Sequence, residues 1–163
     1  MKLKYRLLLE IGIPVLIADQ VSKLIIARHV PLHGSVDVIE GFFSITHVRN
    51  TGAAFGLMAG HTLSFYLFSL VALVAIIFVL WYFRNLSDRD FTSAVALSLV
   101  LTGALGNLID RLRLGEVIDF LDFYYGQWHW PAFNVADAAV SVGVGLLAAI
   151  IILSGLKSAR TED

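Results

Sequence analysis

The sequence predicts an all-α membrane protein, with four transmembrane helices and a small β-hairpin or cradle on the outer membrane face. Apolar residues make up 58% of the chain and charged residues only 15%, against about 45–50% and about 25% in an average soluble domain. A soluble domain of 163 residues needs a polar shell that this composition does not supply. The net charge of −1 argues against nucleic-acid binding by bulk charge, and the absence of cysteine excludes disulfides, Cys-ligated zinc and thiol nucleophiles.

Four apolar stretches are each long enough for a helix across a bilayer core of about 30 Å, which takes roughly 20 residues. They cover residues 7–27, 63–83, 91–109 and 138–156. The last three contain no charged residue, whereas the first contains Glu10, Asp19 and Lys23. We therefore expect one integral membrane domain over residues 1–163.

The first stretch could also be a secretory signal peptide, because Lys2, Lys4 and Arg6 form a basic segment before it. Glu10 interrupts the apolar run, and no small-x-small cleavage site precedes Asp19. Both features favour a helix that stays in the protein.

Basic residues are distributed unevenly between the two sides of the predicted bundle. Seven lie near the termini or between the second and third spans, and four lie in the two long connections, 28–62 and 110–137. The positive-inside rule then predicts cytoplasmic termini and outward-facing connections. Within residues 35–49, apolar residues recur at period two on both sides of Gly41, which predicts the outer hairpin.

Polar residues that are costly inside a membrane are grouped toward the outer side, which indicates a functional site. Asp19 and Lys23 lie four residues apart on one helical face and can pair, either to lock the bundle or to act at the site. Asn107, Asp110 and Arg111 share a face at the end of the third span, where the deeper Asn107 needs polar partners.

Small residues follow the predicted hairpin, in the segment Asn50-Thr51-Gly52-Ala53-Ala54-Phe55-Gly56. Such residues allow close backbone approach, which contact with an extended substrate would need. The spacing alone favours a tight turn.

Two carboxyl groups near the outer face are candidates for acid–base catalysis. Asp119 is bracketed by apolar residues on both sides, so desolvation should raise its pKa. Asn134 and Asp137 resemble a capping arrangement at the start of the fourth span, where the helix dipole favours an anion. The outer connection can place both carboxyls at one depth, and carboxyls with separated proton affinities can hydrolyse a peptide bond.

Five motifs, in order along the chain, resemble those of the prolipoprotein signal peptidases, the signal peptidase II family. They are Asp19-Gln20-x-Ser22-Lys23, Asn50-Thr51-Gly52-Ala53-Ala54-Phe55, Gly106-Asn107-x-x-Asp110-Arg111, Val117-x-Asp119-Phe120 and Phe133-Asn134-x-Ala136-Asp137. The resemblance extends from the first predicted span to the fourth.

This resemblance implies an aspartic endopeptidase of the bacterial cytoplasmic membrane, with Asp119 and Asp137 as the catalytic pair. Its substrates would be prolipoproteins, cut just before a diacylglyceryl-modified cysteine, and the cyclic peptide globomycin would inhibit it. We expect no metal and no other cofactor. The hairpin resembles the family's cradle, and the loop from Tyr124 to Trp130 its mobile flap.

The resemblance also assigns supporting roles around the pair. Substrate binding or shaping of the site is implied for Asn50, Gly52, Asn107, Arg111 and Asn134, and structural support for Asp19, Lys23 and Asp110. The sequence departs from the family pattern at Thr102, where a glycine is common, and at Ala138, where a hydroxyl residue is common.

The sequence gives less support to two other classes of function. A proton transporter or channel could use Asp19, Asp119 and Asp137 as a relay, but a relay must cross the bilayer and these residues are grouped on one side. A serine nucleophile lacks an oriented base, and Pro31 breaks the helical spacing that His29 and His33 would need to share a metal.

All five histidines are expected to be interfacial, and Trp128 and Trp130 are expected to be membrane anchors rather than substrate contacts.

Overall fold

The computed structural model describes residues 2–52 and 62–159, and these form helices and one small sheet. The helices are α1 (Leu3–His29), α2 (Thr62–Asn85), α3 (Phe91–Leu114) and α4 (Val135–Ala159). The strands are β1 (Ser35–Ile39), β2 (Phe43–Asn50), β3 (Val117–Tyr125) and β4 (Trp128–His129). Ala53, Ala54, Phe55 and Gly56 of the small-residue segment, and the basic Arg160, lie outside the described residues.

Each predicted apolar stretch lies within a helix, and the helices extend beyond the predicted limits. In the described part of the chain, three segments are long and apolar enough to cross a membrane, namely Ser64–Asn85, Phe91–Leu114 and Val135–Leu156. α1 has 27 residues, about 40 Å at 1.5 Å per residue, but it carries buried charges. A fourth span formed by α1 therefore stays a prediction.

α3 lies at the centre of the bundle and packs against α1, α2 and α4. Its contact with α4 depends on glycine. A Cβ on Gly103 would overlap the Ala136 carbonyl oxygen, and one on Gly143 would lie 2.6 Å from the Ala96 carbonyl oxygen. Small residues let helix backbones approach closely where lipid provides no hydrophobic driving force.

The end of the bundle opposite the sheet has an apolar core, in which Leu7, Val79, Phe83 and Leu97 are buried. Lys4 lies beside this core and is only 3% exposed. Its Nζ donates hydrogen bonds to the carbonyl oxygens of Arg84 at 2.9 Å and Leu86 at 2.7 Å. These carbonyls at the end of α2 lack intrahelical partners, so Lys4 caps α2.

The sheet is antiparallel, with strand order β1-β2-β3-β4. β1 and β2 confirm the predicted hairpin, and Gly41 between them has a φ of 76°, a left-handed conformation that glycine adopts readily. The prediction of an all-α protein with only a hairpin is incomplete, because β3 and β4 extend the sheet. Part of the loop from Tyr124 to Trp130 is itself a hairpin between these strands.

The sheet is fixed to α1 through one face of β3. Ile118 and Phe120 of β3 pack against Ile26 and Val30 at the end of α1. Neighbouring residues in a strand point to opposite faces, so Asp119 projects away from this contact. His47 of β2 is 4% exposed and its Nδ1 lies 2.8 Å from the Val30 carbonyl oxygen, so it connects β2 to the end of α1. Its position at the membrane interface stays a prediction.

Gly103→Ala is expected to destabilise the protein, because the added methyl group must push α4 away from α3. Overpacking of this kind costs about 1–3 kcal/mol. Gly145→Ala is the matched control, since a Cβ there meets nothing within 4 Å and alanine has the better helix propensity. Thermal unfolding in detergent should show a lower Tm for Gly103→Ala alone. Equal Tm values for both variants would contradict the close α3–α4 contact.

Candidate functional site

A buried lysine lies at the centre of the polar cluster between α1 and α3. The Lys23 side chain is 2% exposed, and its Nζ lies 2.9 Å from Asp19 Oδ2, 2.9 Å from Asp110 Oδ2 and 3.0 Å from Asn107 Oδ1. An ammonium group has three protons to donate, so each has an acceptor. The predicted pairing of Asp19 with Lys23 is confirmed, and the ion pair continues to Asp110.

Asp19 also binds the beginning of α4. Its Oδ1 accepts a hydrogen bond of 2.9 Å from the Ala136 N–H, one of the N–H groups that the first turn of a helix leaves unpaired. Gly106 leaves room for this arrangement, since a Cβ there would lie 2.6 Å from Asp19 Oδ2. Asp19 therefore connects α1 to both α3 and α4.

Gln20 is a polar partner to which the sequence analysis assigned no role. Its Nε2 lies 3.0 Å from Asp19 Oδ2, 3.2 Å from the Gly106 carbonyl oxygen and 3.2 Å from Asp110 Oδ1. Its position inside the first predicted span, next to Asp19, is the sequence feature that indicates such a role. Gln20 reinforces the contact between α1 and α3.

Asn107 and Asn134 hold the carboxylate of Asp137. Asp137 Oδ1 accepts from Asn107 Nδ2 at 2.7 Å, and Oδ2 accepts from the Asn134 backbone N–H at 3.2 Å. In return, Asn134 Oδ1 accepts from the Asp137 backbone N–H at 2.9 Å. This reciprocal pair is the predicted capping arrangement, with Asp in place of the more common Glu or Gln.

Asp119 is buried in β3 and is held by two side-chain amides. Its Oδ2 accepts from Asn50 Nδ2 at 2.8 Å, and its Oδ1 accepts from Asn134 Nδ2 at 2.7 Å. The segment before α4 is attached to the same strand, because the Phe133 carbonyl accepts from the backbone N–H groups of Phe120 and Leu121. Asn134 therefore bonds both carboxyl groups, and the structure brings together the two residues predicted to form a pair.

The environment of Asp119 favours its protonated form. Burial raises the pKa of Asp119 to about 7 because desolvation penalises the carboxylate. The hydrogen bond from Asn50 works in the opposite direction, and the nearby charge of Asp137 adds to the rise in pKa. The raised pKa expected from the apolar neighbours in the sequence is confirmed.

Asn50 and Gly52 form the turn that the spacing of the small-residue segment favours. The Gly52 N–H donates to Asn50 Oδ1 at 2.8 Å, a local side-chain-to-backbone bond typical of Asx turns. Gly52 has a φ of 100°, and a Cβ there would overlap the ring of Phe68. Glycine is therefore required for both conformation and space, and the turn aims the Asn50 amide at Asp119.

A cleft of ≈ 360 Å³ contains both carboxyl groups. Its lining includes Asn50, Gly52, Phe68, Arg111, Asp119, Trp130, Phe133 and Asp137. Trp130 thus borders the cleft, contrary to the expectation that it is only a membrane anchor, whereas Trp128 is not among the lining residues. Phe68 is a lining residue that sequence reasoning missed, since an aromatic residue in an apolar span carries no distinguishing signal.

Arg111 points into this cleft while its helical neighbours Asn107 and Asp110 bind Lys23. Its guanidinium carbon lies 5.8 Å from the centre of the Phe68 ring, a cation–π distance. Its Nε is buried with no hydrogen-bond partner among the described residues. A second cavity of ≈ 390 Å³, lined mainly by apolar and small residues of α2, α3 and α4, also contacts Arg111 and Asp137. The polar cleft therefore leads into the apolar part of the bundle.

Comparison with known proteins places this arrangement in a family. Residues 11–153 match the family described as Signal peptidase (SPase) II. A lipoprotein signal peptidase of Geobacter sulfurreducens is 50% identical over 152 residues, which are 93% of this chain and 95% of that protein. One of Syntrophus aciditrophicus is 52% identical over 132 residues, 80% of this chain and 82% of that protein. A bacterial membrane enzyme solved by the in meso method superposes with a TM-score of 0.80 at 36% identity, covering 96% of this chain and 91% of that one.

Replacing the central lysine tests whether the buried ion pairs hold the bundle together. Lys23→Met leaves Asp19 and Asp110 buried without their cation, and removing one partner of a buried pair costs about 3–5 kcal/mol. We expect a large fall in Tm in detergent. Asp110→Asn in the Lys23→Met background should recover part of the loss, because it removes one of the unpaired charges.

Glu10→Gln is the control on the same helix. It breaks the Arg6–Glu10 pair, which has the same four-residue spacing and a distance of 2.7 Å but is exposed. Exposed pairs contribute little, so its Tm should stay near that of the wild type. A Lys23→Met variant as stable as Glu10→Gln would overturn the structural role of the buried cluster.

Proposed function

Because the chain belongs to the signal peptidase II family, we propose that Asp119 and Asp137 are the catalytic carboxyl groups of a multi-pass membrane peptidase that removes signal peptides from prolipoproteins. One observation carries this assignment. Asn134 bonds both carboxyls, and both line one cleft. This geometry and the raised pKa of Asp119 support the proposed aspartic mechanism.

In the proposed mechanism one carboxyl acts as general base and the other as general acid in the attack of water, and the two reverse these roles when the C–N bond breaks. Asp137, whose oxygens are bound by two N–H donors, accepts a proton from water as the water oxygen attacks the scissile carbonyl carbon. Protonated Asp119 donates its proton to the carbonyl oxygen, which gives a tetrahedral diol. As the diol collapses, Asp119 recovers that proton, Asp137 passes its own to the amide nitrogen, and the C–N bond breaks.

The other predicted site residues surround this pair. Asn50 and Asn134 hold the Asp119 carboxyl, and Asn107 holds Asp137 against the beginning of α4. The Arg111 guanidinium, whose Nε has no hydrogen-bond partner in the described part of the chain, is placed to bind a carbonyl group of the substrate peptide. Gly52 shapes the turn, and Asp19, Lys23 and Asp110 keep the elements in register.

The proposed substrate carries a diacylglyceryl group on the cysteine that follows the cleavage site. The acyl chains would stay in the outer leaflet while the peptide enters the cleft, whose continuation among α2, α3 and α4 is apolar. In this proposal α1 is the fourth span of a single domain over residues 1–163, the termini are cytoplasmic, and the site lies at the outer face of the bacterial cytoplasmic membrane. Globomycin would compete for the same cleft.

The function is tested by incubating the purified protein with a diacylglyceryl-modified prolipoprotein and following release of the signal peptide. We expect cleavage of the lipidated substrate and poor cleavage of the same chain without the lipid. The reason is that burial of acyl chains contributes about 0.8 kcal/mol per CH₂ to membrane binding, and this binding energy is lost. Equal rates for the two substrates would refute the lipid requirement.

Asp119→Asn and Asp137→Asn separate catalysis from folding. The amide keeps the shape of the carboxyl. In Asp137→Asn its oxygen can still accept a hydrogen bond at the α4 N-terminus, and in Asp119→Asn it can still accept one from Asn50 or Asn134, so both variants should fold and bind globomycin. General acid–base assistance is worth about 10²–10⁴-fold, and turnover should fall toward background in each. Asp122→Asn, at a carboxyl of β3 that is not part of the cleft lining, is the matched control and should retain activity. Substantial turnover by either test variant would remove that aspartate from the pair.

The pH dependence tests which form of Asp119 is active. Asp119 must be protonated in the proposed first step, and its pKa is about 7, so kcat/KM should fall as the pH rises through about 7. Asn50→Ala removes a hydrogen bond that lowers the pKa of Asp119, so the alkaline fall in kcat/KM should move to higher pH. If Asn50→Ala leaves the dependence of kcat/KM on pH unchanged, a group other than Asp119 controls the alkaline fall in kcat/KM.

A further inference from the structure

A small cavity between α1 and α3 lies apart from the proposed catalytic cleft. It measures ≈ 100 Å³ and neither Asp119 nor Asp137 is among its lining residues. The lining side chains are Gln20, Lys23, Leu24, Ala27, Arg49, Asp110, Arg113, Leu114 and Ile118. Such a volume admits a compact polar group rather than a folded acyl chain.

Two arginines of this cavity have most of their hydrogen-bonding capacity free. Arg49 Nε lies 3.3 Å from His47 Nε2, and Arg113 Nη1 lies 3.4 Å from Gln20 Oε1. Within the described residues, no carboxylate comes within 4.0 Å of either guanidinium. A guanidinium has five N–H donors, so both groups can accept an additional anionic partner.

The carboxylate in the cavity, that of Asp110, is already bound by groups other than the two arginines. Asp110 Oδ2 is bound by Lys23 at 2.9 Å and by the Ile118 N–H at 3.3 Å, and Oδ1 accepts from Gln20 at 3.2 Å. Lys23 is likewise saturated by its three acceptors. Asp19, Lys23 and Asp110 together carry one net negative charge. The two guanidiniums of Arg49 and Arg113 outweigh it, so the described side chains leave the cavity with a net positive charge.

The remaining walls are apolar and continue onto the outside of α1. Leu24 and Leu114 border the cavity and are 43% and 40% exposed, and Val21 and Ile25 extend the exposed apolar surface along the same helix. In a membrane this surface faces acyl chains. Positive charge next to a lipid-facing apolar surface is the combination that complements a phospholipid.

We propose that this cavity binds the phosphate of an anionic phospholipid, with Arg49 and Arg113 as its ligands and the acyl chains lying along α1. The planar guanidinium matches phosphate oxygens in paired hydrogen bonds. The site is occupied by a lipid of the leaflet at the sheet end of the bundle and is separate from the substrate cleft.

The test measures the Tm of the full chain in detergent while phosphatidylglycerol, phosphatidylcholine or inorganic phosphate is titrated. A ligand that binds only the folded protein raises the Tm in proportion to its saturation. We expect phosphatidylglycerol to raise the Tm of the wild type more than phosphatidylcholine does, and inorganic phosphate to have no effect at equal concentration. A Tm increase from inorganic phosphate equal to that from phosphatidylglycerol would replace the lipid site with a simple anion site.

Variants connect the effect to the two arginines. Arg113→Gln should raise the half-saturating phosphatidylglycerol concentration by at least roughly tenfold, the effect of losing a hydrogen bond between charged groups. The double variant with Arg49→Gln and Arg113→Gln should abolish the preference for phosphatidylglycerol over phosphatidylcholine. Arg28→Gln, which removes an exposed arginine of α1 outside the cavity, should leave the titration unchanged.

Two outcomes would overturn the proposal. One is an unchanged titration in Arg113→Gln, whose exposed side chain makes the variant informative even if the double variant fails to fold. The other is an equal effect of Arg28→Gln and Arg113→Gln, which would indicate attraction to the overall charge of this surface rather than a site.

Discussion

A lysine ammonium buried between two helices requires three acceptors at once, and this requirement determines how the rest of the site is assembled. Asp19 from the same helix and Asp110 and Asn107 from α3 supply them. Each buried ion would cost several kcal/mol if left unpaired. The cluster is therefore stable only when α1 and α3 are in register, and Asp19 extends the constraint to α4 through the Ala136 N–H.

Two side-chain amides, those of Asn107 and Asn134, connect this cluster to the two carboxyl groups of the cleft. Asn107 accepts from Lys23 and donates to Asp137, while Asn134 bonds both Asp137 and Asp119. Amides suit this task because each carries donors and acceptors and no charge of its own. They orient the carboxyls while burial favours the protonated form of Asp119, and such an unequal pair is what proposed acid–base hydrolysis needs.

The polar cluster around Lys23 and the apolar core lie at opposite ends of the helix bundle. The buried cluster around Lys23 lies at the end that carries the sheet. The opposite end has the apolar core around Phe83 and Leu97, beside which the buried Lys4 caps α2. A proton relay across the membrane would need ionisable groups along the whole path. The one-sided cluster instead fits the proposed peptidase, which takes its substrate from one leaflet. The arginine cavity between α1 and α3 is proposed to add a separate contact with that leaflet.

The sequence alone determined the helices, the β1–β2 hairpin and the residues that are proposed to carry the chemistry. Apolar length, period-two alternation and the rarity of charge in a membrane are local or compositional signals, so Asp19, Lys23, Asp119 and Asp137 could be identified from them. Only the tertiary structure decided that β3 is a strand and that Asn134 bonds both carboxyls. It also decided that Arg111 faces the cleft while Asp110 faces Lys23. These facts depend on side-chain direction and on contacts between distant segments, which spacing along one chain does not encode.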